Sequence, residues 1–291
     1  MAIDYQRLRN WKFEDRVDRY TARDCMIYAL GLGYGTDPAN EDELRYVHEE
    51  GTAVVPTFLA TIGAPNGWAT DPATGIDWVK ILHGEHRMTF HAPLAAAGAV
   101  RSQTRVTRVV DKGASKGALV VTVRDISDAD SGAPLATVEH VSFCRADGGF
   151  GQGDEPPEAL PATPPREPDQ VVLLSTLPQQ ALLYRLNGDL NPVHALPHMA
   201  RAAGFERPIL HGLCTYGMAA RALLQACAAA SPQRLGAIAA RFSAPFFPGE
   251  TLRVEIWRDG DLLQFRALAD ERGTVVLSNG VARLANRANQ R

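Results

Sequence analysis

Several features that mark specialised proteins are scarce in this chain of 291 residues. It has four cysteines, Cys25, Cys144, Cys214 and Cys227, widely spaced and without a C-x-x-C pair. That excludes a disulfide scaffold and a C-x-x-C redox or zinc site, and leaves four reduced, mostly buried thiols. There is no basic excess: 30 Lys and Arg face 33 Asp and Glu, for a formal net charge of -3. Neither nucleic acid nor an acidic membrane is therefore expected as the main partner. No apolar run is long and unbroken. The longest, Leu213 to Ala230, is interrupted by Arg221 and Gln225 and is no membrane span. Met1 to Trp11 is polar and lacks a signal-peptide core, and Asn289-Gln290-Arg291 is not a peroxisomal S-K-L address. The expected location is the cytoplasm.

What is present is an ordinary globular composition, 45% hydrophobic and 22% charged. At ~150 residues per domain the length suggests about two domains. Such a chain removes roughly three quarters of its unfolded surface from water and needs no covalent staples. The clearest boundary is Gly148 to Gln170, which holds four glycines by Gly153 and six prolines from Pro156 to Pro168. Glycine is entropically hard to order and proline lacks a donor, so this reads as a linker with partial disorder. It separates residues 1–147 from 171–291.

Helical signals precede strand signals on both sides. Thr21-Ala-Arg-Asp24 resembles a capping box and opens a short helix through Leu30, closed by Gly31 and Gly33. Glu41 to Glu49 reads as another. Strand-like runs follow at Arg87–Ala92, Ala99–Val110, Leu119–Asp125 and Thr137–Arg145. After the linker, Asn191-Pro192 pairs a cap with proline at the first helical position, predicting a helix to Gly204. A second helix is expected from Gly212 to about Ala230, apolar almost all round and hence buried on nearly every side. Strands follow at Leu235–Ala244, Thr251–Arg258, Leu262–Ala269 and Thr274–Leu284, with Asp259-Gly260 as a hairpin turn. A meander after such a helix suggests a sheet wrapped around it. Phe90-His-Ala-Pro93 and Phe242-Ser-Ala-Pro245 lie 152 residues apart, each followed by a glycine and a strand, which points to a duplicated fold.

The most informative stretch is Tyr184-Arg-Leu-Asn-Gly-Asp-Leu-Asn-Pro-Val-His194. Asp189 precedes a helix start, Asn191 caps it, Pro192 fixes its first turn, and His194 lies in that turn. A carboxylate and an imidazole can thus meet at one water molecule, an arrangement suited to adding water across a double bond or removing it. Imidazole, with an ordinary pKa near 6.5, serves as a base at neutral pH. A cap for Asp189 and a structural place for His194 are the plainer readings of the same residues.

Gly188-Asp-Leu-Asn-Pro-Val-His194 matches G-D-x-N-P-x-H without a gap, and so resembles the MaoC-like (R)-specific enoyl-CoA hydratases, the hydratase 2 family. The resemblance spans nearly the whole chain. Thr21 to Gly31, Asp42-Glu-Leu44, Pro56-Thr-Phe58, Leu82-His-Gly-Glu85, Arg207 to Leu213 and Phe246 to Leu252 are similar to the hydratase 2 part of peroxisomal multifunctional enzyme type 2. It implies an α+β double hot-dog, two antiparallel sheets each around a helix, with the long central helix and the catalytic motif in the C-terminal half. A shorter N-terminal helix would leave room for the acyl chain. The resemblance also implies Asp189 and His194 as holders of the water, Asn191 as the residue shaping their loop, and Gly212 as donor of its backbone N–H to the thioester carbonyl. Physics favours the last role independently, since unpaired N–H groups gather at a helix start; close packing is the alternative for that glycine. Water would add syn to a trans-2-enoyl-CoA, with Asp189 partly protonated in an apolar pocket; which residue is acid and which base stays open.

Tyr184, His211, Arg241 and Phe242 are candidate substrate contacts, Arg241 for coenzyme A together with Arg283. No cofactor or metal is expected beyond the coenzyme A thioester, which is the substrate. A homodimer is implied. Three rivals stand beside this reading: a metal on His194 and His198, with His211 or His83 and His86 near; a hot-dog thioesterase, which would release free thiol; and a non-catalytic acyl-CoA-binding paralogue.

Overall fold

The computed structural model describes residues 3–65, 67–227 and 231–285. The expected extension of the long helix to Ala230, and Asn289-Gln290-Arg291, fall outside them. Among the described residues there are ten strands: β1 (Arg16–Tyr20), β2 (Ile81–Phe90), β3 (Gly98–Asp111), β4 (Ala118–Asp128), β5 (Pro134–Cys144), β6 (Gln170–Ser175), β7 (Leu235–Phe242), β8 (Thr251–Asp259), β9 (Leu262–Ala269) and β10 (Thr274–Leu284). The α-helices are α1 (Tyr5–Arg9), α2 (Ala22–Gly31), α3 (Glu41–Leu44), α4 (Gln180–Tyr184), α5 (Pro197–Ala202) and α6 (Gly212–Cys227).

The two expected sheets are joined into one antiparallel sheet of ten strands, ordered β1-β3-β4-β5-β2-β7-β10-β9-β8-β6. The join is β2 against β7. The order reads the same from either end once each half is renumbered, which is the duplication in structural form. Arg87 pairs with Ala239 across the join, and these positions are themselves 152 residues apart, so the pseudo-dyad passes between them.

Period-two patterning sets the inner face. On β9, Leu263, Phe265, Ala267 and Ala269 are wholly buried and the residues between them are not. Each large apolar side chain buried this way contributes roughly 1.5–3 kcal/mol. That face receives α6, where 12 of 16 residues are buried. Gly217 lets α6 meet the N-terminal half: a Cβ there would lie 2.6 Å from Leu32 and 2.9 Å from the Tyr28 hydroxyl. The Thr21 capping box forms as expected, with Thr21 N donating to Asp24 Oδ2 at 2.8 Å.

Three expectations are corrected. The helix from Asn191 to Gly204 is broken: a 3-10 turn covers Pro192–His194 and α5 starts only at Pro197. A proline disfavours the helical region for the residue before it, and Leu196 is extended at φ -104°, ψ 115°. The helix at Glu41 stops at Leu44, because the chain doubles back and the Ala53 N–H takes the Arg45 carbonyl at 2.8 Å. The Gly- and Pro-rich linker is an ordered strap across the outer face of the sheet. Its Glu158 carbonyl accepts from Arg87 on β2 at 2.6 Å, Ala162 from Gln264 on β9 at 3.0 Å, and Arg166 from Trp257 on β8 at 2.8 Å. Prolines leave the strap few donors of its own, so its carbonyls are satisfied by side chains of the sheet.

Candidate active site

The site is built on the chain between α4 and α6. After α4 a 3-10 turn (Arg185–Asn187) ends at Gly188, whose φ of +106° only glycine adopts without strain. This sharp turn presents Asp189. Two residues on, the Asn191 N–H donates to Asp189 Oδ1 at 3.1 Å, and Asn191 Oδ1 accepts from the Val193 N–H at 3.1 Å. Asn191 therefore fixes the loop twice, through its backbone and its side chain. Pro192 opens the turn that carries His194 inward, where it is 8% exposed. Asp189 itself is partly exposed, so the expected apolar pocket around it is not what the loop provides.

Backbone carbonyls fix both imidazoles. His194 Nδ1 lies 2.9 Å from the Ile209 carbonyl, and His211 Nε2 lies 3.1 Å from the Asp189 carbonyl. A carbonyl only accepts, so each of these nitrogens carries the proton. The free lone pairs are then Nε2 of His194 and Nδ1 of His211. The two rings stack at 3.7 Å with an interplanar angle of 25°. Burial lowers the pKa of His194, with the Ile209 bond and Asp189 pulling it back up. Burial, then the neighbouring His194, lowers that of His211 to about 3. Both rings are neutral at physiological pH.

The structure brings Asp189, His194 and His211 together, with ligating atoms within 4.8 Å of one another. His198 is exposed on α5 and stands apart from this group. Gly212 is the first residue of α6. Cys214 and Thr215 donate to the His211 carbonyl at 3.0 and 3.2 Å, and among the described residues the Gly212 N–H has no backbone acceptor. A Cβ at Gly212 would lie 3.1 Å from the Phe242 ring, so this glycine is both a free donor and a close contact. Phe242, at the end of β7, thus walls the donor.

Tyr184 is fully buried, its ring 5.0 Å from that of His211 and 5.9 Å from that of Tyr28, and supports the loop from beneath. Arg241 is not brought to the cluster. It follows strand alternation to the face opposite Phe242, beside Glu85 of β2. Arg283 on β10 pairs with Ala237 of β7 and is also remote. The carbonyls that fix the two tautomers had no signal in the sequence, because a backbone acceptor carries no residue type.

Two family models match. The MaoC-like domain covers residues 159–280, and the N-terminal domain of the multifunctional enzyme type 2 hydratase 2 covers residues 19–146. The chain is 41% identical over 267 residues to enoyl-CoA hydratase ChsH3 of Mycobacterium tuberculosis, covering 90% of this chain and 92% of that one. A MaoC-like dehydratase from Phytophthora capsici superposes with a TM-score of 0.85 at 31% identity, covering 97% of this chain and 98% of that one. The peroxisomal multifunctional enzyme type 2 of Drosophila melanogaster gives a TM-score of 0.82 at 36% identity over 93% of this chain, which spans 48% of that longer enzyme. With the fold, the loop and these relatives in agreement, the chain belongs to the MaoC-like, enoyl-CoA hydratase 2 family.

Proposed function

We propose that the protein is an (R)-specific 2-enoyl-CoA hydratase, and in reverse an (R)-3-hydroxyacyl-CoA dehydratase. The observation that carries this is the fixed tautomer of His194, which aims a free Nε2 lone pair into the same small space as the Asp189 carboxyl group. In hydration, Nε2 takes a proton from water as the oxygen forms its bond to C3, and that proton passes to C2 on the same face while the Asp189 carboxyl group holds the water in place. Negative charge builds on the thioester oxygen as C3 is attacked, and the Gly212 N–H meets it; one such donor is worth about 3 kcal/mol. Both residues act on one water, so hydroxyl and proton arrive on the same face.

The acyl chain is proposed to enter the N-terminal half. A cleft of about 300 Å³ reaches from Asn187 and Gly188, next to Asp189, to Tyr20, Ile27, Phe58 and Ile62, and is also lined by the charged Arg16, Asp18, Arg19 and Asp24. A homodimer is proposed on the exposed apolar Leu173 of the edge strand β6. A cytoplasmic location is proposed on the four buried free thiols, which suit a reducing compartment.

The test is loss of enoyl thioester absorbance with crotonyl-CoA and a medium-chain trans-2-enoyl-CoA. Release of free thiol in its place would make the protein a thioesterase. The pH profile follows from the lowered pKa of His194. A base is active when neutral, so kcat should hold from pH 7 to about 6.5 and fall only below the ordinary imidazole range. An acid limb centred above pH 7 would contradict the role of His194.

The same three side chains also form the one set among the described residues that could hold a metal. The reaction proposed needs none. Turnover is therefore expected to survive exhaustive dialysis against EDTA. Loss of activity that zinc restores would replace the acid–base scheme with a metal-bound water.

A further inference from the structure

A plain alkyl chain gives the charged side chains of the acyl cleft nothing to do. The order of elements shows where they stand. Near the catalytic loop the cleft meets the end of α2, where a Cβ at Gly31 would lie 3.4 Å from Asn187 Nδ2. It passes Ile27 and Asp24 toward the start of that helix, then Tyr20 and Asp18 on β1. The ten residues of α2 span about 15 Å. Asp18 lies two residues of strand, about 7 Å, beyond Tyr20. Asp18 therefore marks the end of the cleft far from Asp189.

That end is polar, and its polar groups are only partly met. Strand alternation puts Tyr20, Asp18 and Arg16 on one face of β1. Arg16 stands opposite Ser102 of β3, and Thr104, two residues on, stands opposite Arg124 of β4. Arg16 Nη2 donates to Asp18 Oδ1 at 3.0 Å, and Arg124 Nη2 donates to the Leu59 and Ala60 carbonyls, each at 2.9 Å. Burial lowers the pKa of Arg124 to about 10, with Arg16 lowering it and Asp18 raising it, so the guanidinium stays charged. Among the described residues, Asp18 Oδ2, Ser102 Oγ and Arg124 Nε are buried without a hydrogen-bond partner. Buried polar groups are as a rule paired, so three on neighbouring strands mark a place built to receive one. Gly63 joins them to the cleft, which it lines. Its φ of +70° is left-handed, Ser102 Oγ stands where a Cβ of residue 63 would be, and Asp18 Oδ2 lies 3.7 Å from that point.

We infer that the far end of the cleft is a subsite for a hydroxyl group carried at the distal end of the acyl chain. The hydroxyl donates to Asp18 Oδ2 and accepts from the Ser102 hydroxyl. A methyl end leaves both unmet, and a carboxylate end sets a second negative oxygen beside Oδ2. The inference rests on the hydratase reading and deepens it, by making the substrate class long-chain 2-enoyl-CoAs with a distal hydroxyl.

The test is kcat/KM of the wild-type protein for trans-2-enoyl-CoAs of eight, twelve and sixteen carbons, ending in methyl, hydroxyl or carboxylate, with crotonyl-CoA as reference. A hydrogen bond to a charged group corresponds to about a ten- to hundredfold preference for the hydroxyl over the methyl end, at the length that reaches Asp18. In Asp18→Ala and in Ser102→Ala the ratio of hydroxyl to methyl should fall to within about threefold of one. Both substrates meet the same protein, so a loss of stability lowers both rates and leaves their ratio alone. Equal rates for hydroxyl and methyl ends at all three lengths, a preference for the carboxylate, or a ratio retained in both variants would overturn the subsite. Turnover of crotonyl-CoA under any of those outcomes leaves the hydratase reading standing. If the wild-type protein hydrates neither crotonyl-CoA nor any longer chain, the hydratase reading fails, and this inference with it.

Discussion

Asp189→Ala and His194→Ala are each expected to slow hydration of crotonyl-CoA by about 10²–10⁴-fold, the range for losing one positioned acid or base. The two losses should not multiply in the double variant, because the residues act on one water and removing either disables the same step. Stability should change little in Asp189→Ala, whose side chain receives, among the described residues, only the Asn191 N–H. His194→Ala also frees the Ile209 carbonyl and unstacks His211, so its kinetics are read beside a melting curve. Near-normal turnover in both single variants would remove the loop from the chemistry.

The second large effect concerns stability. Arg221 of α6 and Glu43 of α3 form a buried ion pair, their side chains 6% and 4% exposed. Arg221 Nε donates to Glu43 Oε1 at 3.0 Å and Nη1 to the Leu32 carbonyl at 3.1 Å. Glu43 also accepts from the Gly35 N–H at 3.1 Å and from the Gln225 side chain. The guanidinium lies 4.9 Å from the Tyr34 ring centroid. Arg221→Ala leaves Glu43 buried without its cation, which costs about 3–5 kcal/mol. Urea unfolding should show a matching fall in midpoint at unchanged slope. Arg221→Met combined with Glu43→Leu should recover much of the loss, because both charges then leave the interior together. A single Ala variant within about 1 kcal/mol of wild type would mean that water reaches the pair and that it does not clamp the two halves.

Much of this was legible in residue order. β9 and β10 begin and end where their alternation and the Asp259-Gly260 turn place them. The G-D-x-N-P-x-H motif located the loop, and the repeat of Phe90-His-Ala-Pro93 at Phe242 pointed to the duplication seen in the strand order. The failures have physical causes. β1 (RVDRY) and β6 are edge strands, and an edge carrying charge or following a proline-rich strap shows no clean alternation. The face taken by His83 was not legible, because the register shift at Gly84, between the His83–Ser142 and Glu85–Val141 pairs of β2 and β5, reverses what counting by twos assigns. Arg241 was chosen by proximity in sequence to Phe242, and strand alternation separates neighbours onto opposite faces.

In the proposed reaction one water is handled by two residues on one face of the substrate. The most direct measurement is hydration of crotonyl-CoA in D₂O, followed by NMR and chiral analysis of the 3-hydroxybutyryl-CoA formed. The expected product is (R) at C3, with a single deuteron at C2 on the same face as the new hydroxyl. An (S) product, or a deuteron on the opposite face, would contradict the geometry of Asp189 and His194 as the reacting pair.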